Sequence, residues 1–255
     1  MGETNIEWAE FSYNPWIGCE KVSAACDNCY AEAWGKRTGN SHLFEGAPPR
    51  LVSSTSWNKP YKWNMKAQES GKRARVFCAS LADVFDDRVP WQWREDLWTV
   101  ISETPWLDWM ILTKRPENIK AMLPENFPKG MEHVWLGVTV EDKETAMKRI
   151  RILRGIKAAH KFLSCEPLIG NIPNPQISAR ALKDFDVVIV GGETGAGARY
   201  MEPVWALRIL WQCRKAGTPF FMKQMSQRKE IPKELMIREF PGYGEPEADE
   251  SEGNT

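Results

Sequence analysis

The chain has 255 residues, of which 42% are hydrophobic and 27% charged, the make-up of a soluble globular protein able to bury one sizeable core. No apolar run reaches the ~18–20 residues of a membrane span, and the N-terminus has neither the basic start nor the apolar stretch of a secretory signal. A cytoplasmic protein with no membrane partner is expected. The formal net charge is zero but uneven: Glu245, Glu247, Asp249, Glu250 and Glu252 fall within residues 241–255 with no Lys or Arg among them. The body is therefore mildly basic, which is compatible with nucleic acid. The acidic segment 241–255 is expected to be disordered.

In chain order, a first strand is expected near Asn14–Gly18, directly before Cys19. Three cysteines, Cys19, Cys26 and Cys29, then fall within eleven residues. Residues 36–74 make a long connection with Pro48, Pro49, Pro60, Trp57 and Trp63, and a stretch so long suggests a lid or substrate loop. Of the 13 Trp, most should fill the core. Trp57, Tyr61 and Trp63 are candidate stacking platforms for bases, with Lys59, Lys62 and Lys66 near enough in sequence to meet phosphates.

Beyond residue 74 short apolar runs alternate with helical patterns. Strands are expected at 75–80, 109–113, 134–140, 161–165, 186–190 and 219–223. Helices are expected at 91–104 (Trp93, Leu97, Val100 and Ile101 inward), 116–123, 142–154 (Met147, Ile150 and Leu153 inward) and 202–216 (Val204, Leu207, Leu210 and Trp211 inward), the last stopped by Gly217. This order predicts a parallel sheet covered by helices. The sheet can be open and doubly wound or curled into a partial barrel. The barrel is favoured because polar residues recur at strand C-termini: Asp83, Lys114, Arg115, Glu141, Glu166, Glu193, Lys223 and Gln224. One domain, 1–240, is expected. Cys78, Cys165 and Cys213 sit in apolar runs and read as buried free thiols, and His133 and His160 read as surface residues.

Three thiols in one loop suit a metal or cluster. A structural zinc wants four ligands, and His42 is the nearest candidate for a fourth. Three thiolates on a four-iron cluster leave one iron open. The glycines in Gly191-Gly192-Glu193-Thr194-Gly195 fit neither a Walker loop nor a dinucleotide loop. Their backbone N–H groups could line the rim while Arg199 reaches an anion.

The three-cysteine loop resembles that of radical S-adenosylmethionine (SAM) enzymes, although the spacing here is six residues then two, and Asn28 rather than an aromatic residue precedes the last Cys. Over almost the whole chain the sequence looks like a phage and bacterial three-cysteine family related to spore photoproduct lyase. The matching stretches are Ile6-Glu7-Trp8, Asn14-Pro15-Trp16-Ile17-Gly18-Cys19, Cys26-Asp27-Asn28-Cys29-Tyr30-Ala31-Glu32, Leu112-Thr113-Lys114-Arg115-Pro116, Gly137-Val138-Thr139-Val140-Glu141, Glu166-Pro167-Leu168, Gly191-Gly192-Glu193-Thr194-Gly195 and Phe220-Phe221-Met222-Lys223-Gln224.

The resemblance implies a partial (β/α) barrel of six to seven parallel strands, a [4Fe–4S] cluster on Cys19, Cys26 and Cys29, and SAM as cofactor. It also implies a reductase or flavodoxin-like electron donor and, if the protein is phage-encoded, a bacterial host cell. Glu166, Lys114 and Arg115 are then catalytic candidates; Glu141 (toward the ribose), Gly192, Glu193, Arg199 and Lys223 are cofactor-binding candidates. A nucleobase or nucleotide, as in modification or repair of phage DNA, is the expected substrate. The rivals are an amino-acid or peptide radical reaction and a zinc-stabilised nucleic-acid-binding module.

Overall fold

The computed structural model describes residue 4 and residues 6–241 of the chain, so the acidic stretch from 242 onward lies outside the described residues. In chain order the elements are β1 (Phe11–Tyr13), β2 (Trp16–Ile17), α1 (Tyr30–Arg37), β3 (Arg50–Leu51), α2 (Ser54–Trp57), α3 (Lys59–Ser70), β4 (Ala74–Cys78), α4 (Trp91–Ser102) and β5 (Leu107–Thr113). There follow α5 (Pro116–Met122), β6 (Val134–Thr139), α6 (Lys143–Arg154), β7 (His160–Cys165), α7 (Ala179–Leu182), β8 (Val187–Gly191), α8 (Pro203–Ala216) and β9 (Phe220–Gln224). Seven strands form one parallel sheet in the order β1-β4-β5-β6-β7-β8-β9, an α/β partial barrel. Among the described residues no helix is long and apolar enough to cross a membrane.

The strands form where apolar, β-branched runs can be buried on both faces. Outward positions such as Val76, Ile111, Val138, Leu163 and Val190 join the large core beneath the helices. Inward positions form a second core of Phe77, Met110, Trp135, Phe162, Val187, Ile189 and Phe221, plugged by Trp8 from the N-terminal segment. Helix ends follow local chemistry: Asp142 caps α6 by accepting from the Thr145 amide at 2.9 Å in a reciprocal capping box.

Four expectations are corrected. The first sheet strand is β1; Trp16–Ile17 lies instead in a small antiparallel ladder with β3. Residues 36–74 are not one long loop: they contain α2 and α3, and α3 packs on β4 and β5, with buried Trp63 stacked on Phe11 at 4.5 Å and edge-on to Tyr13. Trp63 thus cannot be a platform for bases, and Tyr61 donates to Glu103 at 2.5 Å. Helix α8 buries Ala206, Ile209 and Cys213 and turns Val204, Leu207 and Trp211 to the solvent, as α6 does Met147. His133 is buried, its Nε2 facing the Ile101 carbonyl at 2.8 Å, and half-buried His160 stacks on Trp135. Cys78, Cys165 and Cys213 are buried free thiols, as expected.

Gly137 on β6 is fixed by its partner across the ladder, Phe162 on β7. A Cβ at position 137 would stand 2.3 Å from the Phe162 ring, which lies flat over the glycine. Gly137→Ala should therefore cost about 1–3 kcal/mol by overpacking. In urea denaturation the double variant Gly137→Ala/Phe162→Leu should lose clearly less than the sum of the two single changes.

Candidate functional site

A cavity of about 350 Å³ opens at the C-terminal ends of the strands, within the inner curve of the sheet. Its lining draws on every part of the rim: Cys19, Cys26, Asn28 and Cys29 from the loop after β2, and Asp83 from the loop after β4. Thr113, Lys114 and Arg115 come from the end of β5, Thr139 from β6, Ser164 and Glu166 from β7, Gly192 and Glu193 after β8, and Lys223 and Gln224 from β9. Below this rim the wall becomes apolar, with Ile6, Trp8, Phe77 and Leu112.

The cysteine loop is fastened at both ends. At its start, buried Arg115 donates from Nη1 to the Cys19 sulfur at 3.7 Å and to Asp83 Oδ2 at 3.3 Å, and from Nη2 to the Glu20 carbonyl at 3.0 Å. Burial disfavours the guanidinium charge, but Asp83, Cys19 and Asp86 outweigh it and raise the pKa above the ordinary value. Burial and Asp83 push the Cys19 thiol up to about 12 against the opposing pull of Arg115. Asp83 also accepts from the Thr113 hydroxyl at 2.7 Å and the Lys114 amide at 3.1 Å, so one carboxylate organises the end of β5. At the far end Asn28 donates to Glu193 Oε2 at 2.9 Å and to the Gly197 carbonyl at 3.0 Å. Arg199 grips Glu193 through Nη2 at 2.6 Å and Nε at 3.1 Å and reaches back to the Ala24 carbonyl at 2.7 Å. Burial raises the Glu193 pKa, yet the hydrogen bonds from Arg199 and Asn28 prevail and hold it below the usual carboxylate range. Tyr30, opening α1, donates to the Ser80 carbonyl.

Of the residues singled out from sequence, Cys19, Cys26, Cys29, Lys114, Arg115, Glu166, Gly192, Glu193 and Lys223 share the cavity, together with Asp83 and Gln224. Glu166 receives the Lys223 ammonium and, at 3.4 Å, the Gln224 amide. Lys114 has no ion-pair partner among the described residues. Glu141 and Arg199 stand outside the lining, contrary to expectation. Glu141 is fully buried, and its Oε2 is 2.7 Å from Nη1 of Arg149 on α6, a group that also donates to the Thr139 carbonyl. The guanidinium of Arg199 is taken up by the carboxylates of Glu193 and Asp27 and by the Ala24 carbonyl of the cysteine loop. Gly192 is small for a packing reason: a Cβ there would lie 2.2 Å from the Ser226 nitrogen. Sequence reasoning missed Asn28, Arg149, Trp8, Thr139 and Ser164. For the last two the signal was a hydroxyl two residues beyond an inward-facing Gly137 or Phe162.

The donor set suits a cluster more than a closed zinc site. Cys19, Cys26 and Cys29 are free thiols on one cavity, and its lining contains neither a fourth Cys nor a His. Their side chains are not drawn together: among the described residues no three His, Cys, Asp or Glu groups stand in metal-holding proximity. Thiolate ligation would require the loop to gather them and release their protons.

A family profile described as a protein of unknown function (DUF5131) matches residues 3–243. No curated protein matches the chain. Among solved structures, a spore photoproduct lyase mutant with bound AdoMet and dinucleoside spore photoproduct is similar at 13% identity and a TM-score of 0.46, over 72% of this chain and 56% of that one. A second spore photoproduct lyase mutant is similar at 14% identity and 0.46, over 82% of this chain and 62% of that one. The chain thus spans less than two thirds of either of these proteins.

The reassignment of Glu141 can be measured. Arg149→Met leaves a buried carboxylate uncompensated and should cost about 3–5 kcal/mol, whereas Glu141→Gln/Arg149→Met should cost clearly less. Equal losses in urea denaturation would return Glu141 to a role outside the buried pair.

Proposed function

The chain belongs to the DUF5131 family, and from that premise we propose that it is a radical SAM enzyme acting on a nucleobase or nucleotide, as in modification or repair of phage DNA. The observation that carries this reading is that three free thiols of one loop line a single rim cavity whose lining offers no fourth Cys or His. Cys19, Cys26 and Cys29 would hold a [4Fe–4S] cluster. The chemistry supplied by that group when bound is one-electron reductive cleavage of SAM.

The chain's own residues do the rest. Arg115 aims an N–H at the Cys19 sulfur and anchors the start of the loop, while Asn28, Glu193 and Arg199 anchor its end. Lys114, without an ion-pair partner among the described residues, offers its ammonium to an anionic group such as a carboxylate or phosphate. Glu166 and Lys223, in contact inside the cavity, can hold or pass a proton at Glu166 Oε1. Trp8, Phe77 and Leu112 keep the floor apolar and exclude water. A base paired in a duplex cannot reach such a cavity, so a nucleic-acid substrate would be single-stranded or flipped out. An electron donor of the flavodoxin or reductase type is part of the same proposal, as is a cytoplasmic setting in a bacterial host.

Anaerobically reconstituted protein should be brown and bind about four irons per chain, the content of a [4Fe–4S] centre. Cys19→Ala, Cys26→Ala and Cys29→Ala should each lose most of that iron, while Cys78→Ala, Cys165→Ala and Cys213→Ala should keep it. Stoichiometric zinc without visible absorption would replace this reading with the zinc-stabilised binding module.

A further inference from the structure

We infer that Thr139, Ser164 and Trp8 form the seat of the substrate's ring, and that this ring is a carbonyl-bearing nucleobase. The inference deepens the proposed function and rests on it for the identity of the enzyme, though not for its first measurement.

Inward positions along the central strands change character at one level. On β6 the inward series is Trp135, Gly137, Thr139, and on β7 it is His160, Phe162, Ser164. Gly137 pairs with Phe162, and Thr139 with Ser164, so the two hydroxyls stand side by side directly above the apolar plug. Both residues are 0% exposed, both line the cavity, and neither hydroxyl has a hydrogen-bond partner among the described residues. The indole N–H of Trp8, 2% exposed and on the same cavity, is also without a partner among the described residues. Buried polar groups of native proteins are nearly always satisfied, and each one left alone costs about 1–3 kcal/mol. Three on one cavity point to a ligand that satisfies them.

Their chemistry narrows that ligand. The indole can only donate, so the ligand must present an acceptor. Neighbouring strands lie about 4.8 Å apart, so the two hydroxyls can converge on a single oxygen, and a carbonyl oxygen has two lone pairs to receive them. The same cavity is lined by Trp8, Phe77 and Leu112, an apolar surface suited to the face of a flat ring. A planar ring with apolar faces and a carbonyl edge is a nucleobase such as thymine or uracil. The three thiols are on the cysteine loop at the rim, so the seat lies deeper than the expected cluster.

The first test is stability without ligand. Thr139→Val and Ser164→Ala remove an unsatisfied hydroxyl at nearly constant shape, so their melting temperatures should equal or exceed that of the parent. Lower melting temperatures for both would mean that the hydroxyls are already satisfied in the free protein, and would overturn the inference. The second test is calorimetric titration of cluster-loaded protein with thymidine, adenosine, tyrosine and SAM. Thymidine should bind more tightly than adenosine, each variant should weaken it about tenfold, and SAM affinity should stay unchanged. Tyrosine binding in place of nucleosides, or variants that weaken SAM instead, would overturn the assignment. Zinc in place of iron with thymidine binding intact would sink the radical chemistry and leave the ring seat standing; iron and SAM bound with no nucleoside binding would do the reverse.

Discussion

The candidate site depends on one buried cation. Arg115 is 6% exposed at the end of β5, and its guanidinium joins three segments distant in sequence. It meets Asp83 and Asp86 from the loop after β4 and the Glu20 carbonyl and Cys19 sulfur of the cysteine loop. A guanidinium presents five donors in a fixed plane and keeps its charge when buried, which an ammonium on a flexible stem does not do as well. Removing it would leave Asp83, at 4% exposure, without its main counter-charge and Asp86, at 0%, with Arg88 alone, the costly way to break a buried pair. The start of the cysteine loop is therefore set by the sheet, not by the loop's own sequence.

The far end of the loop is held differently. Glu193 follows β8, on the other side of the curled sheet from β1, and meets the loop through Asn28 and Arg199. The loop thus spans the mouth with one anchor on each side. Its two anchors, Arg115 at the end of β5 and Glu193 after β8, stand three strand positions apart, and the curvature of the sheet brings both to one cavity. The inner plug of aromatic side chains maintains that curvature and fills the space a curled sheet encloses. Phe162 can lie in the middle of it because Gly137 gives up its side chain.

Much of the fold was legible because strands buried on both faces read as continuous apolar runs, and six of the seven were found within a few residues of their ends. The first was misplaced because Asn14–Gly18 is apolar enough for a strand but pairs with β3, a contact no local pattern encodes. Helix α8 carries two apolar stripes. Periodicity favours Val204, Leu207 and Trp211, whereas the face that is buried carries Ala206, Ile209 and Cys213. The cysteine loop was legible because free thiols usually seek burial one at a time, and three crowded into one polar loop suit a shared metal or cluster instead. Glu141 and Arg199 were not, since a charged residue near a strand end reveals its sign but not its partner. For Glu141 that partner, Arg149, is eight residues away on the helix that follows.

Partnering also separates the charges that hold the site from those that face a ligand. Asp83 pairs with Arg115, Glu141 with Arg149 through Oε2, and Glu193 with Arg199, at close to full burial for the carboxylates. A charge so compensated has little left to offer a substrate, and moving it would cost several kcal/mol. Lys114 is under no such obligation, and Glu166 and Lys223, at 18% and 17% side-chain exposure, are paired yet reachable from the cavity. With the hydroxyls of Thr139 and Ser164 below them, these are the groups free to answer a ligand. The rim residues read from sequence as one equivalent set therefore divide in two, and burial with charge compensation, more than position along the strand, decides which can act.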